Sequence, residues 1–415
     1  MIVWLIRDLE PIPSEPGNRR LMRMGMLAQA LAGAGHTTRW ITSSFDHYQK
    51  RQRAPRAQEI VPQPGLTITV LPGPGYRKNL SLGRIRHNRV FAKAFARFAK
   101  TTSERPDIIV TDIPTTEAAA SAVAFGKTNG IPTVLSIRDL WPDFFTDHLP
   151  ALLRPLARLA LVPLERQARF ACANATSLVG ISPAYLEWGR KKGARAPAPT
   201  DRIFPLGYAP RPAPQNAVAR SILDRIGVRP DARVVAFIGS WGHTYDLPLV
   251  LETARTLSDR SDIQFVIAGD GPQASALVPH FAELPNVRLP GWLDADDIAI
   301  VLRRADIGLL PYRADAPQGL PNKAFEYLAY GAYQIATIAG ELEPFYRETA
   351  AGRALAQPDA EALAAAIVSA LSDPEITSSR ATRVAYFGNH FDAGRVYSQM
   401  VDHIVAMAAS GPSNR

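Results

Sequence analysis

Cysteine is almost absent: Cys172 is the single one in 415 residues. No intrachain disulfide can form, and a structural metal site with several thiolate ligands is excluded. A reducing compartment fits this usage, so a cytoplasmic location is expected. Long apolar runs are missing too. The apolar start, residues 1–6, is broken by Arg7 and Asp8. It is too short to span a membrane and lacks the basic lead of a signal peptide. Acidic residues are scarce, 38 against 47 Lys and Arg, which leaves a net charge of +9. Disorder, collagen and fibre are excluded by 47% hydrophobic and 20% charged residues. At roughly 150 residues per domain, two or three domains with sizeable cores are expected.

The positive balance favours anionic partners: nucleic acid, anionic lipid or phosphorylated substrates. It does not choose among them. Cations crowd the first half at Arg51, Arg53, Arg56, Arg77, Lys78, Arg84, Arg86, Arg89, Lys93, Arg97 and Lys100. Any one of them is also explained as part of a solvated face.

Short apolar runs alternate with longer amphipathic ones. Strands are predicted at 2–6, 38–42, 66–71, 108–111, 133–137 and 177–180, and helices at 19–32, 84–101, 116–128 and 154–173. This rhythm predicts a parallel sheet covered on both faces. Prolines between 205 and 214 mark a linker, and the rhythm then restarts. Strands are predicted at 234–238, 264–268, 287–289, 307–310 and 333–337, with helices at 248–257, 294–304, 322–330, 359–371 and 393–408. The expected fold is α/β, with two Rossmann-like domains. The first covers 1–205 and the second covers 206–392. In such sheets ligands bind outside the carboxyl ends of the strands. Two sheets facing each other would frame a cleft there.

The loops after strands are therefore where chemistry is expected. Glu15-Pro16-Gly17-Asn18-Arg19-Arg20 precedes the first helix. A glycine allows close approach, and free amides with two arginines attract an anion; an ordinary strand–helix turn is the plain alternative. Arg138 and Asp139 follow a buried strand, with Trp141-Pro142 as a rigid wall; an Arg–Asp pair capping the next segment is the alternative. Gly239-Ser240-Trp241-Gly242-His243 resembles a phosphate-approach turn without a full glycine fingerprint or a lysine. His243 either donates to a phosphate or lies on the surface. Gly269-Asp270-Gly271-Pro272 reads as a structural turn. Asp294-Ala295-Asp296 has the look of a metal-binding triplet. Helical periodicity follows at once, so Asp294 is read as an N-cap and no metal is expected. The densest signal is Gln318-Gly319-Leu320-Pro321-Asn322-Lys323-Ala324-Phe325-Glu326. Pro321 opens a helix whose first amides can grip a diphosphate, with Lys323 as a cation. Glu326, one turn on, suits the two hydroxyls of a ribose. A capped amphipathic helix with an exposed glutamate is the plain alternative.

In this order and spacing, these segments resemble retaining GT-B glycosyltransferases of family four. The resemblance spans nearly the whole chain. It rests on Gly17 with Arg19 and Arg20, Gly33-Ala34-Gly35-His36, Arg138-Asp139-Leu140-Trp141-Pro142 and Gly269-Asp270-Gly271-Pro272. It continues with Gly291-Trp292, the segment from Ala305 to Pro311, and Leu320-Pro321-Asn322-Lys323 through Glu326. It implies transfer of a sugar from a nucleotide sugar, expected to be a UDP-sugar, to an acceptor with the anomeric configuration kept. The second half would hold the donor: Glu326 the ribose, the backbone near Leu293 the base, and the amides of Gly319, Leu320 and Asn322 with Lys323 the diphosphate. Gly17 would add a contact from the first half, Arg138 and Asp139 would stand near the acceptor, and the final helix, from about 393 to 415, would cross back to the first domain. Asp139 is the candidate for orienting the acceptor hydroxyl or taking its proton. The sequence departs from the family pattern twice. Gln318 replaces the first of two glutamates, and Trp241 and His243 occupy a loop where an arginine and a lysine are usual. The leaving diphosphate is then left to Lys323, helix amides, and Arg138 or Arg20.

No cofactor is expected. A lipid-linked or saccharide acceptor is expected, and no nucleic acid. Arg154, Arg158, Arg166 and Arg169 on an amphipathic stretch suit an anionic membrane surface, on the inner face of the cell membrane. Surface polysaccharide, such as lipopolysaccharide, is the expected product class. Two competing readings stay open: a nucleotide-sugar 2-epimerase on the same architecture, and a non-catalytic protein that binds nucleotide or nucleic acid.

Overall fold

The computed structural model describes residues 1–15, 21–79, 81–147, 152, 154–316 and 319–410. The chain divides into two units: Met1–Gly207 with Gly394 onward, and Tyr208–Ala393.

In the first unit the elements run β1 (Ile2–Ile6), α1 (Arg23–Gly33), β2 (Thr37–Ser43), β3 (Phe45–Asp46), β4 (Arg51–Gln52), β5 (Gln58–Gln63), β6 (Leu66–Leu71) and α2 (Leu82–Thr101). They continue with β7 (Ile108–Ile113), α3 (Thr116–Asn129), β8 (Thr133–Ile137), α4 (Asp143–Asp147), α5 (Arg154–Asn174), β9 (Ser177–Gly180), α6 (Pro183–Gly193) and β10 (Arg202–Ile203). Eight strands form one sheet in the order β10-β9-β8-β7-β1-β2-β6-β5. All pairings are parallel except β5 with β6. β1 sits at its centre, with Ile2 opposite Thr37 of β2 and Val3 opposite Ile108 of β7. Trp4, Phe91 and Phe95 fill one core, and Leu135, Ile137, Trp141 and Cys172 another. Each fully buried ring or branched side chain contributes about 2 kcal/mol of transfer free energy.

The second unit has α7 (Asn216–Ile226), β11 (Arg233–Ile238), α8 (Leu247–Thr256), β12 (Ile263–Ala268), α9 (Ala274–Ala282), β13 (Val287–Arg288), α10 (Ala295–Arg304) and β14 (Ile307–Leu310). After these come α11 (Asn322–Ala329), β15 (Tyr333–Ala336), α12 (Leu342–Thr349), β16 (Gly352–Ala354), α13 (Ala360–Ser372), α14 (Pro374–Ser378) and α15 (Arg380–His390). Its sheet is parallel throughout, in the order β13-β12-β11-β14-β15-β16. Phe237, Trp241, Phe265, Phe281 and Ile367 share its core. A last helix, α16 (Ala393–Ala409), belongs to the first unit from Gly394 on. It is seated there by the hydrogen bond of His403 Nε2 with Ser177 Oγ (2.9 Å) and by Arg23, which meets Met400 Sδ.

Of the elements that depart from the periodicity, three show the reason locally. α1 begins at Arg23, four residues after the predicted start, because Glu10 supplies its cap from a distant loop. β5 has no sequence prediction, since Pro62 spoils it. It survives as an antiparallel edge strand whose register slips between Ile60 and Gln63, and edge strands and bulges tolerate proline. α6 is opened by Ser182, whose side chain accepts from Tyr185 N, a cap signal overlooked beside the shorter apolar run.

Candidate functional site

In the second unit, chemistry gathers where β11 and β14 end. α11 runs back from that edge, opened by Pro321 in an extended conformation with no side chain capping its first amides. Asn322 is exposed and Lys323 and Glu326 are half-buried. Lys323 and Tyr327, one turn apart, hold the two backbone polar groups of one residue, Ile238 of β11. The Lys323 ammonium donates to the Ile238 carbonyl, and the Ile238 N–H donates to the Tyr327 hydroxyl at 3.1 Å. The next residue is Gly239, where a Cβ would lie 2.1 Å from Lys323 Nζ. The ammonium also stands 5.2 Å from the Phe237 ring centre and 5.5 Å from that of Tyr245. Burial pushes its pKa from the ordinary 10.5 down to about 8, and the nearby Glu326 works in the opposite direction. No hydrogen bond or ion pair engages the Glu326 carboxylate among the described residues. The result is a poised cation, a carboxylate without a hydrogen-bond partner, and backbone without a side chain at one sheet edge.

The neighbouring loops are built for close approach. At Gly269, with φ +124°, a Cβ would fall 1.8 Å from the Gly239 carbonyl. The Gly269 N–H in turn donates to the Gly291 carbonyl at 2.7 Å. Leu293 is buried, whereas Trp292 beside it is 74% exposed. His243 is exposed, while Trp241 lies in the core against Phe281. Asp294 accepts from the amides of Asp296 and Asp297, both at 2.9 Å. Asp297 pairs with Arg225, and Asp296 with Arg211 at 3.4 Å. The carboxylates of this triplet are thus committed to a cap and to arginines. No cluster of three or more metal-ligating side chains occurs among the described residues.

In the first unit, a buried network of charges lies where β1, β7 and β8 end, with Arg7, Glu10 and Arg138 in the loops and Asp112 inside β7. Arg138 pairs with Glu10 and, at 2.9 Å, with Asp112. Arg7 closes the ring, 3.0 Å from Asp112 and 3.7 Å from Glu10. Burial works against both carboxylates. At Glu10 the charges of Arg138 and Arg7 prevail and hold the pKa below its usual value, whereas at Asp112 burial prevails and the pKa is raised. Arg138 thus has a carboxylate partner in each of two neighbouring segments. Glu10 Oε2 also accepts from Met24 N at 2.8 Å and Gly25 N at 3.3 Å. Those are the opening amides of α1, so the protein supplies its own anion there.

Asp139 is half-buried. Burial raises its pKa, against a hydrogen bond from the Leu140 amide (2.9 Å) and the charges of Arg84, Arg7 and Arg138. A desolvated carboxylate of this kind is suited to accept a proton. The Arg84 guanidinium lies 4.2 Å over the Trp141 ring and adds a cation to this wall. Behind it, Asp8 accepts from Thr115 at 2.8 Å and faces His87 Nε2 at 3.6 Å.

Several residues singled out in the sequence are thereby placed. Lys323, Gly239 and Glu326 share one edge of the second unit, and Arg138 and Asp139 share one edge of the first. Gly17, Arg20 and Gln318 lie outside the described residues. Gly319 and Leu320 lie in the bend before α11. Sequence reading passed over Arg7, Glu10, Asp112 and Tyr327. Two signals marked the first three: a charged run, Arg7-Asp8-Leu9-Glu10, directly after a strand, and a lone carboxylate inside the apolar run of β7.

Comparison with known proteins bears on the family and the fold. Residues 22–207 match the family model of the glycosyl transferase 4-like domain, and residues 232–373 that of glycosyl transferases group 1. No curated protein matches the sequence. Among solved structures, a sucrose-phosphate synthase from Thermosynechococcus elongatus superposes with a TM-score of 0.68 at 19% identity, covering 99% of this chain and 100% of that one. HepE from Anabaena, in complex with UDP-glucose, gives 0.62 at 15%, covering 98% and 99%. WaaG, a glycosyltransferase involved in lipopolysaccharide biosynthesis, gives 0.63 at 14%, covering 97% and 99%. With one glycosyltransferase model over the bulk of each unit and this fold along its whole length, the chain belongs to the glycosyltransferases of the GT-B fold.

Proposed function

We propose that this chain moves a sugar from a UDP-sugar to a lipid-linked or glycan acceptor, with retention of anomeric configuration and without a metal ion. The observation that carries the reading is the juxtaposition of Lys323, Gly239 and Glu326 at one sheet edge of the second unit. The hard step is departure of the nucleoside diphosphate. Donors fixed in advance toward that growing negative charge are each worth on the order of 3 kcal/mol. Lys323 and the uncapped amides of α11 supply them here, and Glu326 takes the ribose hydroxyls. The commitment of Asp294, Asp296 and Asp297 to a cap and to arginines supports a reaction that does not rely on that triplet for metal. In the first unit, Asp139 orients the acceptor hydroxyl or takes its proton, and Arg138 holds the loop that carries it. Retention follows from the family resemblance. The excess of cations supports a peripheral enzyme on the inner face of the cell membrane, acting in surface polysaccharide synthesis.

A panel of UDP-, GDP- and ADP-sugars tests this, first by thermal stabilisation and then by turnover with lipid-extract acceptors. A UDP-sugar should stabilise the protein most, and the product should keep the donor's anomeric configuration by NMR. Chelator should leave turnover intact. Release of free epimerised sugar without acceptor, or full loss of activity on chelation, would overturn the reading.

A further inference from the structure

We infer that the outer face of the α2–α3–α5 layer is a docking surface for an anionic lipid bilayer; this rests on the glycosyltransferase reading above and gives it a location. α3 packs against both α2 and α5, so the two outer helices stand on the same side of the sheet. α2 carries Arg86, Arg89, Lys93, Arg97 and Lys100, spaced three or four residues apart and all exposed. Such spacing places them on one face. None of the five forms an ion pair among the described residues, and the 20-residue helix contains no acidic residue. α5 adds an apolar strip at the same spacing: Leu156 and Leu159 are 69% and 71% exposed. Arg158 and Arg166 flank that strip, also exposed. Along the three helices, Glu117 is buried and Glu165 is held by Lys192 and Arg169. The layer therefore offers a row of cations on α2 and protruding leucines on α5, either side of α3, with no unpaired exposed carboxylate along the three helices.

That combination selects its occupant. A nucleic acid would use the cations and leave the leucines without a partner. A bilayer of anionic lipid uses both, since headgroups meet the cations and the leucines enter the acyl boundary. The position is also suited to the chemistry. Arg84, in the first turn of α2, lies over Trp141, and Trp141 contacts Phe145 of α4, which packs on α5. Asp139 is two residues from that tryptophan, so a lipid phosphate held at this rim lies close to the proposed acceptor carboxylate.

The test is sedimentation of the full chain with vesicles of phosphatidylcholine, with and without phosphatidylglycerol. Binding should require phosphatidylglycerol and weaken with salt. Each cation near a bilayer contributes roughly a fivefold factor, so joint replacement of Arg86, Arg89, Lys93 and Arg97 by Ser should lower partitioning roughly a hundredfold or more. Leu156→Ser with Leu159→Ser should weaken vesicle binding and leave binding to a DNA duplex unchanged. Melting temperature and the UDP-glucose shift, read on the same samples, report whether fold and donor site persist. Equal binding to neutral vesicles, no loss in either variant, or duplex binding as tight as vesicle binding would overturn the inference. Loss of the UDP-glucose shift with vesicle binding intact would instead count against the donor assignment alone.

Discussion

The ammonium of Lys323 occupies the space that a side chain at residue 239 would need: a Cβ on Gly239 would come within 2.1 Å of it. The glycine is required by the lysine, and both belong to the loop end where a diphosphate is proposed to sit. Gly239→Ala should therefore displace the ammonium and weaken UDP-sugar binding about tenfold. Lys323→Met should cost a similar amount. Because both act through one ammonium, the double variant should be no worse than either alone. Additive losses in calorimetric affinities would separate the two residues.

Lys323 also sets a pH dependence. Its pKa, about 8 instead of 10.5, means that the free protein loses this charge as pH rises through 8. A bound diphosphate restores the proton. Donor affinity should be flat below pH 7 and fall by up to about tenfold per unit above 8. Near pH 8.5, binding should take up a proton, which calorimetry in buffers of different ionisation enthalpy detects. Lys323→Met should abolish both effects. For the fold itself the sign is opposite: between the two values the unfolded chain holds more protons, so this residue makes stability rise with pH.

Glu326 lacks a hydrogen-bond partner of its own among the described residues, which leaves it able to accept two hydroxyls. Losing hydrogen bonds to a charged acceptor costs about 2 kcal/mol, or roughly thirtyfold in affinity. Glu326→Ala should weaken UDP by that factor and 2′-deoxy-UDP by much less. Equal loss for both nucleotides would remove Glu326 from the ribose.

For Asp139, a raised pKa and partial burial predict that the carboxylate is needed ionised during transfer. Asp139→Asn should lower turnover by about a hundredfold to ten-thousandfold and leave the UDP-sugar dissociation constant unchanged. The wild-type rate should fall on the acid side, at a pH above the ordinary aspartate value of 3.8. An unaltered rate in the variant would exclude the proton-accepting role.

Glu10 joins α1, Arg138 and Arg7 through one buried carboxylate. Glu10→Gln removes a charge that two arginines need, and breaking a buried pair in this way costs about 3–5 kcal/mol. Urea unfolding should show that loss. With a pKa held below 4.5 in the fold, Glu10 stabilises fully above that value. Its contribution disappears as pH falls through the depressed folded value, so the wild type should show a steeper acid transition than the variant.

Sequence alone determined the alternation of strand and helix. The 2–6 strand, the cap at Asp294 and the helix after Pro321 all follow from periodicity and local hydrogen-bonding chemistry, which act over a few residues. It also determined the sheet edges at which Lys323, Glu326 and Asp139 stand, because parallel strands send their following loops to one side. The tertiary structure decided what those residues touch. Glu10 meets Arg138 across 128 positions, and Lys323 meets Ile238 across 85. No local pattern encodes such contacts, since they exist only once β1, β7 and β8, or β11 and α11, are packed together. Burial then matched the charge of Arg138 with carboxylates and lowered the pKa of Lys323, because a charge withdrawn from water is governed by its nearest neighbours and not by its place in the chain.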